Sequence, residues 1–93
     1  MHLGTLTLFF HLEGCASLKE KRQRIGGLRD RFGRLPSVAA CESGAADSHD
    51  KGEWSFACLA SRRGDVARTL EQIERYAATE LDATIYDRQL EYF

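Results

Sequence analysis

The residues with the strongest chemical signature lie between Ser17 and Leu35, SLKEKRQRIGGLRDRFGRL, which hold seven of the chain's thirteen lysines and arginines. Residues 17–34 carry seven basic and two acidic groups, a balance of +5, while the rest of the chain carries six and twelve, a balance of −6. The net charge of −1 therefore conceals a surface with a sign, because encounter responds to local fields. Arginine dominates the segment, and its planar fork of donors matches phosphate. The chemistry available is recognition of a polyanion. Set against it is a solvated helix face with exposed ion pairs, each worth about 0–1 kcal/mol. An acidic protein surface is a third partner of the right charge.

Other chemistry-bearing residues are sparse. Cys15 precedes a helix start with Lys19 and Arg22 close in sequence, an electropositive setting of the kind that reactive thiols occupy. The M-x-C-x-x-C pattern of small metal carriers is not met, since Leu18 stands where the second cysteine belongs. Asp47, His49 and Asp50 supply oxygen and nitrogen donors, but a glycine-flanked loop with no further ligands reads as a solvated turn. His11 has no partner at a fixed spacing. Three cysteines, Cys15, Cys41 and Cys58, make neither a disulfide framework nor a zinc site. No serine nucleophile motif, Walker loop or dinucleotide fingerprint occurs. The expectation is a chain that is not an enzyme, with no cofactor and no metal.

Those residues must be positioned by a single domain spanning 1–93, of ordinary globular composition at 43% hydrophobic and 29% charged. Apolar runs of five residues or fewer fall far short of the ~18 that span a bilayer, so no membrane segment is expected. MHLGTLTLFF has no basic leader region or small-residue cleavage site, and the expected location is the cytoplasm.

Residues 3–12 alternate, with Leu6, Leu8, Phe10 and Leu12 on one face of a strand. Ser17 with Glu20 forms a capping box at a helix start. Leu18, Ile25, Leu28 and Phe32 then mark one stripe of a helix over 18–33, weakened by Gly26-Gly27 and stopped before Pro36. A short strand at 37–43 and a polar loop at 44–52 follow. Trp54, Phe56, Cys58 and Ala60 mark a third strand. Val66, Leu70, Ile73 and Ala77 form a second helical stripe, with Asp65 as its N-cap. Residues 82–90 read as the last strand. The order β-α-β-β-α-β buries both stripes when two helices share one face of a four-stranded antiparallel sheet, the ferredoxin-like α+β sandwich. Leu6, Leu8, Phe10, Leu28, Phe32, Phe56, Leu70 and Ile73 are the expected core.

On the first helix, Arg22 and Arg29 stack along one flank and Arg24 and Arg31 along the other, while Lys19 and Arg34 point outward. Lys21 falls inside the apolar arc, and its stem covers the core rim as its amine leaves at the sheet's end. One flank faces the second helix, where Glu71 and Glu74 are candidate partners; the other is free. Lys19, Lys21, Arg22, Arg24, Arg29 and Arg31 are the candidate nucleic-acid-binding residues. Stacking of bases on the open sheet face is not expected, since Phe9 stands there beside Ser55, Ala57 and Leu59. That face, with Leu3, Thr5, Phe9 and Leu59, suits pairing with a second copy or with another protein instead.

Residues 11–22, H-L-E-G-C-A-S-L-K-E-K-R, resemble the YlxP-like family of bacterial proteins, a domain of unknown function. The spacing from Phe32 to Val38, Glu42 and L-A-S-R-R-G-D-V at 59–66 extend the resemblance over nearly the whole chain. Gly26-Gly27 departs from the helix formers expected there. The resemblance implies a ferredoxin-like fold, no catalytic residue, and a gene setting near translation-initiation and ribosome-maturation factors. It implies a small non-enzymatic helper around ribosomes, with ribosomal or other RNA as partner; the alternative is a protein-interaction module, a homodimer through the open sheet face.

Overall fold

The computed structural model describes residues 1–93. Seven elements follow in order: β1 His2–His11, α1 Leu18–Ile25, α2 Gly27–Phe32, β2 Val38–Gly44, β3 Lys51–Ala60, α3 Arg63–Glu80 and β4 Thr84–Tyr92. The strands form one sheet in the order β2-β3-β1-β4, and every neighbouring pair is antiparallel. With α1 and α2 taken as one broken helix, this is the ferredoxin-like arrangement that the alternation and the two stripes predict.

Alternation explains the layering. Leu6, Leu8 and Phe10 of β1 and Trp54, Phe56 and Cys58 of β3 point to one face and are buried. Ile25, Leu28, Phe32, Val66, Leu70, Ile73 and Ala77 from the helices pack against them in one continuous core. All eight expected core residues are in it. Phe32 sits at the junction, edge-on to Phe56 at 6.3 Å and to Tyr76 of α3 at 5.3 Å. Gly4 lets α3 settle onto β1, since a Cβ there would stand 2.7 Å from Val66 Cγ1.

The first helix differs from the single rod expected over 18–33. It breaks at Gly26, whose N–H donates to Arg22 O at 2.8 Å while its own carbonyl accepts from Arg29 at 3.2 Å, a tightened turn. A Cβ at Gly26 would run into the Arg22 carbonyl oxygen, so the break needs glycine. Half of the capping box forms: Ser17 Oγ accepts from the Glu20 N–H at 3.1 Å, but the Glu20 carboxylate turns to Arg24. Leu18, expected inside, is 39% exposed, and Lys21 is inside in its place.

Two boundaries also move. α3 begins at Arg63 with Arg62 in the cap position, so Asp65 is not the N-cap. Asp65 lies in the first turn, where a carboxylate suits the helix dipole, and pairs with Arg62 at 3.3 Å and with Arg68. β4 starts two residues later than expected, at Thr84, and is an edge strand whose residues are exposed except half-buried Ile85. A bulge between Phe9 and Phe10 of β1 leaves Tyr86 unpaired, its ring 6.2 Å from that of Phe9.

On the open face a chain of hydroxyls crosses three strands. Thr7 Oγ1 and Ser55 Oγ are 2.8 Å apart, Ser55 donates to Ser43 at 2.7 Å, and Ser43 donates to Glu53 at 2.8 Å. Leu3 and Leu59 lie exposed beyond this polar centre.

Two substitutions test the packing. Leu70→Ala opens a cavity in a small core and lowers stability by about 2–5 kcal/mol in chemical denaturation; a variant unfolding with the parent would show the stripe unburied. Gly26→Ala lowers the melting temperature, whereas in a regular helix the same change stabilises by about 1 kcal/mol.

Candidate nucleic-acid interface

Lys21 is the buried cation of the basic segment, 3% exposed. Its Nζ donates to Ala45 O and to Ser48 O, both at 2.8 Å, and stands 3.4 Å from the Glu42 carboxylate. A buried ammonium is tolerated only when paired and bonded in this way. The amine therefore does not leave at the sheet's end; it is held there by the β2–β3 loop. Ala45 adopts φ +56°, a left-handed conformation that costs an alanine roughly 1–2 kcal/mol. The Lys21 bond to its carbonyl holds it there.

The same loop is tied to the β1–α1 connection. Leu12 N–H donates to Asp50 O at 2.7 Å, and His49 Nδ1 lies 2.9 Å from Cys15 O, which makes that nitrogen the protonated one. The Asp50 carboxyl is held below the ordinary aspartate value, first by the hydrogen bond from Ser48 and also by its backbone N–H and the charges of His49 and His11. A depressed carboxyl pKa favours the folded loop above the ordinary value and loses that effect as pH falls through the lowered one. His49 and Asp50 thus fasten a loop, and no three His, Cys, Asp or Glu side chains stand close enough to hold a metal ion. Cys15 is a buried thiol facing Ser17 O at 3.5 Å, not an exposed nucleophile.

Arg24 is a clamp. Its Nε donates to Asp82 O at 2.8 Å and its Nη1 to Glu13 O at 2.9 Å, with the Asp82 and Glu20 carboxylates at 3.2 and 3.3 Å. Arg31, on the same flank, places its guanidinium 4.9 Å over the Tyr76 ring of α3. This is the flank that faces the long helix. Glu71 and Glu74 do not meet it: Glu71 pairs with Arg75 on α3 itself at 3.0 Å, and Glu74 turns to Arg88 of β4 at 2.9 Å.

The opposite flank carries Arg22 and Arg29, both exposed, with Lys19 exposed near its start. Arg22 and Arg29 rim a cleft of about 360 Å³ between the broken helix and the β2–β3 side, with Leu18, Ile25 and Trp54 in its walls. The Arg29 guanidinium lies 5.5 Å from the Trp54 ring centroid. Cation–π contact positions the guanidinium without neutralising it. The six candidate residues thus fall into three sets: buried Lys21, the α3-facing Arg24 and Arg31, and the free side with Lys19, Arg22 and Arg29. The helical wheel anticipates the two arginine flanks. It misses Trp54 as the aromatic beneath Arg29, since that contact joins residues far apart in sequence.

No curated protein matches the chain. Among solved structures it is similar to the de novo designed protein Ferredog-Diesel, at 13% identity and a TM-score of 0.48, over 96% of this chain and 83% of that one. It is also similar to the Bacillus subtilis protein YXEP, a dinuclear metal binding peptidase from the M20 family, at 12% identity and a TM-score of 0.51. That likeness covers 98% of this chain and 25% of the peptidase, so it is one of fold within a much longer protein. The family model described as "Protein of unknown function (DUF503)" matches residues 3–90, which takes in every element from β1 to most of β4. The chain belongs to this DUF503 family.

Proposed function

We propose that the chain is a YlxP-like member of its family and a small non-enzymatic RNA- or ribosome-associated accessory protein, gripping a nucleic-acid backbone through the free flank of α1 and α2. The observation that carries this reading is the pattern of ion pairing. In residues 17–34, Lys21 and Arg24 are paired with carboxylates, while Lys19, Arg22, Arg29, Arg31 and Arg34 are not. Elsewhere Arg62, Arg68, Arg75 and Arg88 are paired, leaving only Lys51 and Arg63. A chain with fourteen acids leaves five of the seven cations in its densest basic run without a carboxylate partner. Such cations are available to phosphates, and Arg22 and Arg29 share one side with Lys19. Ribosomes and their RNA place the work in the cytoplasm.

A second reading rests on the open sheet face, where Leu3, Leu59 and Tyr86 are exposed. It is a homodimer through that face. Its centre is the Thr7–Ser55–Ser43–Glu53 chain of hydrogen bonds, which is already satisfied within one copy. This ranks the reading second.

Two experiments separate them. About four phosphates within reach give log affinity against log salt a slope of roughly −3 for single-stranded RNA. Arg22→Glu with Arg29→Glu lowers affinity for all RNA sequences in fluorescence anisotropy and flattens that slope. Arg24→Glu with Arg31→Glu acts first on melting temperature, because Arg24 clamps two connections. If the Arg22 and Arg29 pair leaves RNA and ribosome binding at low salt unchanged, the flank is a solvated surface. In analytical ultracentrifugation, a monomer at high concentration removes the dimer, whereas a dimer that Phe9→Asp dissociates without unfolding establishes it.

A further inference from the structure

Trp54 is 5% exposed, yet its indole Nε1 is buried with no hydrogen-bond partner, the sole side-chain nitrogen or oxygen in that condition. Buried donors are almost always paired, and an orphan calls for an acceptor that the chain does not supply. Trp54 lines the cleft rimmed by Arg22 and Arg29, so the indole that carries this donor and the two cations border one concave site.

The rest of the lining narrows the acceptor's chemistry. Arg22 and Arg29 present two guanidinium groups free of ion pairs, the arrangement that matches phosphate oxygens. Leu18 and Ile25 give an apolar wall that inorganic phosphate would leave unused. Asp30 lines the site and forms no ion pair, while Glu42 is engaged by Lys21. A free carboxylate beside two arginines repels a second anion but accepts hydrogen bonds from sugar hydroxyls. A cleft of about 360 Å³ has the size of a small-molecule pocket, which begins at about 300 Å³, and suits one nucleotide rather than a base pair.

We infer that this cleft seats a single nucleotide, its phosphate on Arg22 and Arg29, its hydroxyls on Asp30, and one of its acceptors on the Trp54 N–H. The inference rests on the RNA reading for the source of that nucleotide, an unpaired residue of a bound strand. It adds a specific seat to a flank that would otherwise recognise only charge. A free mononucleotide offers the same chemistry, and the test distinguishes the two sources.

Trp54 is the chain's one tryptophan, so its emission reports the cleft directly. The full chain is titrated with uridine 5′-monophosphate, uridine, inorganic phosphate and a short oligouridylate, following emission. Anisotropy of the labelled oligouridylate is measured in parallel. The expected result is a saturable emission change with the monophosphate and a tighter one with the oligouridylate, while uridine and phosphate bind about tenfold more weakly or worse. Arg29→Ala weakens both by a similar factor without lowering the melting temperature. Trp54→Phe, read by anisotropy, weakens the oligouridylate while keeping an aromatic in the core. Oligouridylate binding that leaves Trp54 emission unchanged overturns the seat and leaves the RNA reading standing. Saturable monophosphate binding with no gain for the oligouridylate supports the seat and overturns the RNA reading. No emission change and no anisotropy change overturn both.

Discussion

The ammonium of Lys21 is the interaction on which the site depends. Buried at one end of the sheet, it joins α1 to the β2–β3 loop through two carbonyls and the Glu42 carboxylate. Removing one partner of such a pair costs about 3–5 kcal/mol, because the remainder is left buried and unsatisfied. The bond also sets the rotation of α1. With position 21 inside, Leu18 turns out over the cleft, Arg22 faces the free side, and Arg24 faces the loop after α3. One buried charge thereby sorts the charges around it into those that hold the fold and those left unpaired.

The break at Gly26 completes the arrangement. α1 is directed by Lys21 and by the Arg24 clamp, whereas α2 is directed by Leu28 and Phe32 in the core. Arg29 and Arg31 follow the second piece, and each guanidinium rests on an aromatic ring, Trp54 at 5.5 Å and Tyr76 at 4.9 Å. Contact with a ring restrains a long side chain, which reduces the ordering that binding an anion requires.

Much of the fold is legible in the residues because burial repeats with the period of the element that carries it. Leu6, Leu8 and Phe10 announce a strand with one face inside, and Val66, Leu70, Ile73 and Ala77 a helix with one stripe inside. Periodicity fails where partners are distant. Nothing local marks Asp82 O as the acceptor for Arg24, or Ala45 O as that for Lys21, and Glu74 pairs across to β4 rather than to the basic helix. The break at Gly26 is visible as a weakness but not as a boundary, since it depends on the approach of Arg22 O. Of the site, the flank of Arg22 and Arg29 is legible from the helical angle. The cleft and the unpaired indole N–H are not, because they arise where α1, α2 and β3 meet.

We propose that the uncommitted flank meets RNA on the ribosome. Co-sedimentation of the unaltered chain with purified ribosomal subunits, at low and at high salt, tests it most directly. The chain is expected to pellet with a subunit at low salt and to be released at high salt, as counterions displace it from phosphate. A chain that stays in the supernatant at both concentrations contradicts the claim.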